Sequence, residues 1–316
     1  MIMSQAPKLT PKNRFWEEDL PDRSEPVDTD REKPALYGDL NLLSDQYLEL
    51  SRAENRMRGI GIVVSIIGFV FFLVGIYVIW PPNVMVGPGD TFMLSALVIW
   101  LMAPLLPVLA ILPLRLDLAL PADEPVRFNR HTGKVYVYSF KHNHNPFGRW
   151  RPVTKVFDWQ TIEAEITKQV GSTGRVVMVR YGLDLASCKP GTNEVVDRFT
   201  LKGGLWTTAE LHRIWGYVRA YMNEGVDAVP SYKPRKQIVS LHQSFVYWFA
   251  FIDWTEAGRE YRAKIGPFWS LIHILILPLM PLFIPMVFGH YIATKFAPEP
   301  RWPADIEAES RSGEPV

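Results

Sequence analysis

Apolar and polar positions divide the chain into unlike stretches. "GIVVSIIGFVFFLVGIYVIW", Gly61 to Trp80, holds no charged residue, and its length suits a helix across a hydrocarbon core of about 30 Å. A second charge-free run, "TFMLSALVIWLMAPLLPVLAILPL" from Thr91 to Leu114, follows the link "PPNVMVGPGD", which is rich in turn formers and too short to hold a domain. Together they predict a transmembrane helical hairpin over 60–114, its second arm kinked by Pro104, Pro107 and Pro113. Such kinks are tolerated where neighbouring Ser or Thr groups satisfy the freed carbonyls. A third run, "FWSLIHILILPLMPLFIPMVFGHYIA" over 268–293, carries Pro278, Pro281 and Pro285. It predicts a further transmembrane segment, with a re-entrant or interfacial one as the alternative.

Between the second and third runs the pattern shortens to that of strands. "VRFNRHTGKVYVYSF" reads as a hairpin turning at "HTG", and "TKVFDWQTIEAEITKQ", "GRVVMVRYGLDLAS" and "EVVDRFTLKG" alternate in the same way. The pattern then becomes helical in "LHRIWGYVRAYMNEG", where Leu211, Ile214, Trp215, Val218, Tyr221 and Met222 share one face, with Arg213, Gly216, Arg219 and Asn223 largely opposite. Thr207 and Glu210 match a capping box, and Gly225 a C-terminal cap. Antiparallel strands closed by one helix predict a β-rich domain over 115–230, and a pleckstrin-homology-like layout fits that order of elements by analogy. The predicted fold class is thus membrane α plus α+β. It comprises a transmembrane hairpin, an antiparallel β domain closed by one C-terminal helix, and a further Pro-rich transmembrane segment.

The flanks are weaker in pattern. Residues 1–37 mix both charge signs with many prolines and predict a tail without fixed structure. In 38–59 the positions Leu40, Leu43, Tyr47, Leu48 and Leu50 predict a juxtamembrane helix. Residues 231–267 begin with the basic linker "VPSYKPRK" and continue into a stretch that is aromatic first and basic later, which suits either an interfacial helix or one packed on the domain. The tail 294–316 is again expected to lack structure.

Composition changes this picture little, since 48% hydrophobic residues and a formal charge of +1 would suit an ordinary globular enzyme. Charge placement changes it more. Arg52, Arg56 and Arg58 precede the first run, and Arg115, Arg127 and Arg130 follow the second, so both flanks of the hairpin are expected in the cytoplasm. Arg259, Arg262 and Lys264 place the entry to the third run on that side. The tail with Lys295 and Arg301 would then lie outside if the run crosses, and inside if it re-enters. The first fifty residues hold no apolar signal core, so the first run is expected to act as its own insertion signal. A single cysteine, Cys188, excludes an internal disulfide and a multi-cysteine metal site, in keeping with a reducing compartment.

Candidate chemistry is sparse. His142 and His144 form an H-x-H pair near His131, but two ligands without a third or a supporting shell read better as a solvated loop than as a zinc site. His273, inside the third run, reads as a neutral imidazole bonded to a neighbouring helix rather than as a proton site. Cys188 lacks an identifiable base. Glu163 and Glu165 share a strand face, which strand-edge solubility explains more simply than acid–base work. No phosphate-binding, zinc-protease or hydrolase motif is present, so the chain is expected to be no enzyme and to need no cofactor or metal. Nucleic-acid binding is not expected, because acids offset the bases. Gly61, Gly68 and Gly75 recur on one face of the first run and permit close helix packing, including homo-oligomers.

Three stretches, "DLNLLSDQYLELSRAENRMRG" before the hairpin, "PVRFNRHTGKVYVY" after it and "IWGYVRAYMNEGVDAVP" at the close of the domain, resemble a family of uncharacterised bacterial inner-membrane proteins often encoded near type VI secretion genes. The resemblance implies a multi-pass inner-membrane protein whose cytoplasmic domain binds a protein partner. A secreted toxin would make it an immunity protein, and a secretion component would make it an accessory one. It brings no catalytic residues. For protein contact the candidates are Arg149, Trp150, Arg151 and Trp206, large or charged residues in expected loops. The competing reading is a membrane-anchored scaffold or sensor that binds anionic lipid or a secretion-apparatus component, with Lys233, Arg235 and Lys236 as the lipid-binding candidates.

Overall fold

The computed structural model describes residues 6–28, 32–53, 58–79, 101, 105–141, 145, 147–172, 177–235 and 240–312. The link between the first two apolar runs, most of the second run's first half, His142, His144 and Lys236 therefore lie outside the described residues. Two antiparallel sheets and a set of helices make a mixed α+β architecture.

One sheet has the order β2-β3-β4-β5-β6, built from Leu40–Leu43, Tyr47–Leu50, Val126–Asn129, Lys134–Lys141 and Arg151–Asp158. The other has the order β1-β7-β8-β9, built from Trp16–Asp19, Ile162–Ser172, Val177–Cys188 and Val195–Leu205. The expected β4–β5 hairpin forms, with Asn129 opposite Lys134 and Gly133 at φ 66° supplying the left-handed turn residue. "TKVFDWQTIEAEITKQ" is two strands rather than one. At Asp158 the side chain accepts from the Gln160 amide and a short 3₁₀ turn follows, which passes the chain from the first sheet to the second.

The helix α3, Ala209–Glu224, closes the core as its apolar stripe requires. Trp215, Tyr217, Val218 and Tyr221 are fully buried beside Phe128, Trp159 and Leu183. Gly225 ends it at φ 105°, its amide donating to the Ala220 and Tyr221 carbonyls. The expected capping box at Thr207 and Glu210 does not form; Thr208 is the N-cap and makes no side-chain cap bond. A capping box forms instead at Ser240 and Gln243, opening α4, Leu241–Trp248.

Both flanks depart from expectation. Residues 38–59 hold no juxtamembrane helix, because Leu40–Leu43 and Tyr47–Leu50 pair as β2 and β3 and β3 continues the ladder to β4. The apolar spacing there serves a sheet face as well as a helix face, and only the partner strand decides. The stretch expected to be an unstructured N-terminal tail instead contributes β1, which pairs with β7, and buries Leu9, Leu20 and Leu36. It also covers the face of α3 assigned to solvent. Arg219 is fully buried there, donating to the Asp22 and Glu25 carbonyls and to the Glu32 carboxylate, and a Cβ on Gly216 would meet the Glu32 carbonyl at 2.7 Å.

The chain leaves the first sheet between β3 and β4 for two antiparallel helices, α1 (Ile60–Ile79) and α2 (Leu105–Leu118). Gly61 packs so closely that a Cβ would meet the Pro113 carbonyl at 2.3 Å, whereas Gly68 is in ordinary contact with Ala110, and a Cβ on Gly75 would meet no described residue within 4 Å. Pro113 lies inside α2, and the Ser65 hydroxyl donates to the Ala110 carbonyl 2.6 Å away. After α4 come α5 (Glu256–Lys264), α6 (Pro267–Ile276) and α7 (Met280–Phe296), with a 3₁₀ turn between the last two. Ile60–Tyr77 and Ser270–Phe296 are long and apolar enough to cross a membrane.

The C-terminal stretch is structured as well. The Ala122 amide donates to the Pro298 carbonyl, Trp302 packs edge-on against Tyr138, and α8 (Ala304–Ser312) lies on the five-stranded sheet. Glu307 and Ser310 bond Arg127, and Glu309 pairs with Lys134. The tail therefore packs on the β domain.

Candidate functional site

The strands β7 and β8 outrun their neighbours. β1 pairs with β7 only through Thr167, with a last backbone bond from Lys168 to Phe15, and β9 reaches β8 only as far as Tyr181. Among the described residues, 169–172 and 177–180 consequently pair with each other alone, in the register Gln169 to Arg180 through Ser172 to Val177. A ribbon of two strands is marginally stable by itself and leaves both edges unpaired. Its apolar side chains Val170, Val177 and Met178 are exposed. At its base Trp206 is 63% exposed, with the Arg180 guanidinium 3.1 Å from its ring centroid. Among the described residues 168–181 carry Lys168 and Arg180 and no acid.

The other contact candidates lie elsewhere. Trp150 is half-buried beneath the Arg115 guanidinium, 4.4 Å from its ring centroid, and the same Arg115 donates to the Gly148 carbonyl. This ties the β5–β6 connection to the end of α2. Arg149 and Arg151 beside it are exposed. Trp206 follows β9 and Trp150 precedes β6, in different sheets, so the four candidates do not form one patch in the described contacts.

Of the lipid candidates, Lys233 is exposed, while Arg235 bonds the Ser51 hydroxyl at 2.7 Å. Arg235 lines a cavity of about 630 Å³ at the seam between the β domain and helices α4 and α7, together with Arg58, His290, Glu49, Asp123 and Glu299. Arg58 donates to the Asp117, Leu120 and Pro121 carbonyls, and the Asp117 carboxylate accepts from the Ile62 amide at the start of α1. His290 bonds Ser244 at 3.0 Å and stacks on Tyr247. Bases and acids balance in this cavity, so it has no bias towards anions.

The groups weighed for chemistry are committed to structure. Glu163 is held by Lys8 and Arg23, and Glu165 by Arg198 and Asn13. They sit on an interior strand between β1 and β8, so burial and pairing explain them, not the solubility of a strand edge. Burial pushes the Cys188 thiol up, reinforced by the Glu163 charge and only partly opposed by Arg198, Lys8 and Arg23. The thiol therefore stays protonated, which makes a poor nucleophile. The Nδ1 of His273 makes no hydrogen bond, contrary to expectation; its ring packs 4.5 Å from that of Phe251. Among the described residues no group of three or more His, Cys, Asp or Glu is placed to hold a metal ion.

Residues 103–314 match the family of unknown function DUF6708. The chain belongs to that family. The DUF6708 match takes in everything from α2 to α8 and leaves out β1, β2, β3 and α1. No curated protein and no solved structure matches the chain.

The projecting arm was not legible as a site. Its strands read as ordinary alternating segments, and their overhang depends on where β1 and β9 stop. Trp206 was legible, as an aromatic residue outside any regular element.

Proposed function

We propose that the chain is a non-enzymatic, multi-pass inner-membrane protein whose cytoplasmic domain binds a protein partner through the β7–β8 arm. The observation that carries this reading is the overhang itself. Two strands extend past both neighbours, expose Val170, Val177 and Met178, and stand beside the Arg180–Trp206 stack. An apolar, edge-bearing ribbon with basic flanks suits strand addition by a partner whose own strand is apolar with acidic neighbours. Trp and Arg are the residue types most enriched where binding energy concentrates.

The order from β3 to α3, four strands of one sheet, three of the other and one closing helix, supports a pleckstrin-homology-like reading of the domain, with the α1–α2 hairpin inserted after its first strand. The outward apolar faces of α1 and α7 support the membrane placement. With the sequence resemblance, these features favour an immunity or accessory protein linked to type VI secretion, the partner being a toxin or a secretion component.

A photo-crosslinking amino acid at Val177 tests the proposal in cells expressing the full chain with its gene neighbourhood. One protein adduct is expected, weakened by Trp206→Ala and abolished by Val170→Asp with Met178→Asp, while the same probe at Val196 on β9 gives none. Equal labelling at both positions, or adducts indifferent to these substitutions, would refute the arm as the binding surface. The second reading, an anionic-lipid sensor, rests on the exposed Lys233 near Arg235 in the basic linker. It requires that Lys233→Glu with Arg235→Glu weaken association with anionic vesicles.

A further inference from the structure

A second cavity lies at the opposite end of the Ser270–Phe296 run from the β domain. It measures about 460 Å³ and opens between the segment after α4 and the start of α6. Ile252, Ile265, Ile274 and Leu277 make its apolar wall. Ile274 and Leu277 belong to the outward face of the apolar run, so the wall is continuous with the surface that the run presents to its surroundings.

The mouth has a different character. Arg262 lines it, held by donation from one Nη to the Phe251 and Asp253 carbonyls. Its Nε and other Nη make no hydrogen bond among the described residues, and no described carboxylate lines the cavity. The Asp253 carboxylate is turned aside to the amide and hydroxyl of Thr255. His273 lines the same cavity with its Nδ1 shielded from solvent and unbonded. Trp254 at the rim is 87% exposed, and Tyr261 on α5 is exposed as well. Aromatic rings beside basic side chains at the end of an apolar helix mark the level where headgroups meet hydrocarbon.

We propose that this cavity holds one anionic phospholipid of the surrounding bilayer, with the phosphate at Arg262 and one acyl chain along Ile274 and Leu277. The cation at the mouth favours a net-anionic headgroup, because a choline headgroup would bring a second cation beside the Arg262 guanidinium, where like charges repel. Continuity of the wall with the helix surface lets the chain enter sideways from the bilayer, so water need not be crossed. A soluble apolar ligand would not use the Arg262 donors, and a second copy of the chain would have to bring an acid to them.

Native mass spectrometry of the full chain, released from mixed micelles of phosphatidylglycerol and phosphatidylcholine in equal amounts, tests this. One retained phosphatidylglycerol is expected per chain, favoured over phosphatidylcholine by about tenfold, because the choline cation offsets the attraction of its phosphate to Arg262. Arg262→Gln should abolish the preference and Arg262→Lys restore part of it, while Arg259→Gln, on an exposed neighbour, leaves it intact. Leu277→Trp fills the slot without touching Arg262, so it should lower retention of both lipids even if Arg262→Gln unfolds the segment. Equal retention of the two lipids by the unaltered chain, full retention by Leu277→Trp, or a dimer free of lipid in place of the lipid adduct would overturn the proposal.

Discussion

The β domain and the helices that leave it are built inside out relative to one another. In the domain the large apolar groups face inward, with Trp215, Tyr217, Tyr221 and Phe128 fully buried. In the helices they face outward, with Phe71 65%, Leu109 67% and Leu282 72% exposed. The centre of the helix set is occupied by small and polar groups. Gly59 packs on the His290 backbone, Gly289 on the Gly59 carbonyl, Ser65 on the Ala110 carbonyl and Asp117 on the Ile62 amide. On the membrane placement proposed above, the contrast is that of two solvents. Where water surrounds a fold, removing apolar surface from it supplies the driving force. Where lipid surrounds helices, that force is absent between them, and close backbone approach and satisfied polar groups hold them together instead.

If this contrast is right, enlarging and shrinking side chains should harm opposite parts of the molecule. The largest effect is expected in the domain. Trp215→Ala leaves a cavity beneath α3 and should cost about 3–5 kcal/mol, read as a lowered domain transition in circular dichroism while a protease-protected fragment containing α1 persists. Arg219→Ala should cost about as much, roughly 3–5 kcal/mol, because Glu32 is left buried without its partner. Proteolysis would then cut within residues 21–34, and adding Glu32→Ala should restore part of the loss.

Leu282→Asp sharpens the comparison on the helix side. On a lipid-facing surface a central Asp costs about 3 kcal/mol, so α7 should lose its protection from protease in membrane vesicles while α1 keeps the chain in the carbonate-resistant fraction. Unchanged protection of α7 would mean that this face does not meet lipid. Gly59→Ala adds a single methyl group, placed 2.2 Å from the His290 amide nitrogen, on a residue at φ 95°. It should lower stability in detergent by about 1–3 kcal/mol through overpacking and backbone strain, whereas enlargement by one methyl at Gly68, whose Cβ would sit 3.6 Å from that of Ala110, should be nearly silent.

The smallest effect concerns the N-terminal segment. Partial burial opposes ionisation of Asp22, but bonds from the Ser24 amide and hydroxyl, with Arg23 and Lys8 nearby, outweigh it and bring its pKa from 3.8 to about 2. A carboxylate lowered in this way stabilises the fold above pH 3.8, and the contribution is lost as pH falls through about 2. The group is only partly covered, so Asp22→Asn should cost less than about 1 kcal/mol at neutral pH, visible as faster amide exchange in residues 20–28.

Much of the molecule follows from local pattern. The α1 run, the β4–β5 hairpin, β8, β9 and α3 with its Gly225 cap each carry a period or a turn residue within a few positions, because the forces that choose them act within one element. The missed elements draw on distant chain. Leu40–Leu50 is a pair of strands only because β4 lies beside it, with the α1–α2 excursion between them in sequence. β1 has no alternation of its own and is a strand because β7 offers an edge. Arg219 looked solvated on α3, since the chain that covers it begins nearly two hundred residues earlier. The arm at 169–180 is a candidate site only because its neighbours stop short of it.

The sequence by itself therefore determined which helices are long and apolar enough to cross a membrane, where the sheet hairpins and the closing helix lie, and that Trp206 stands outside regular structure. Tertiary structure alone decided that both terminal segments fold onto the β domain, that the glycines of α1 have unequal roles, and that the arm and the two cavities exist. The physical reason is one of range. Hydrophobic periodicity is written residue by residue, whereas strand partners, buried ion pairs and cavities arise from surfaces that meet only after the chain has folded.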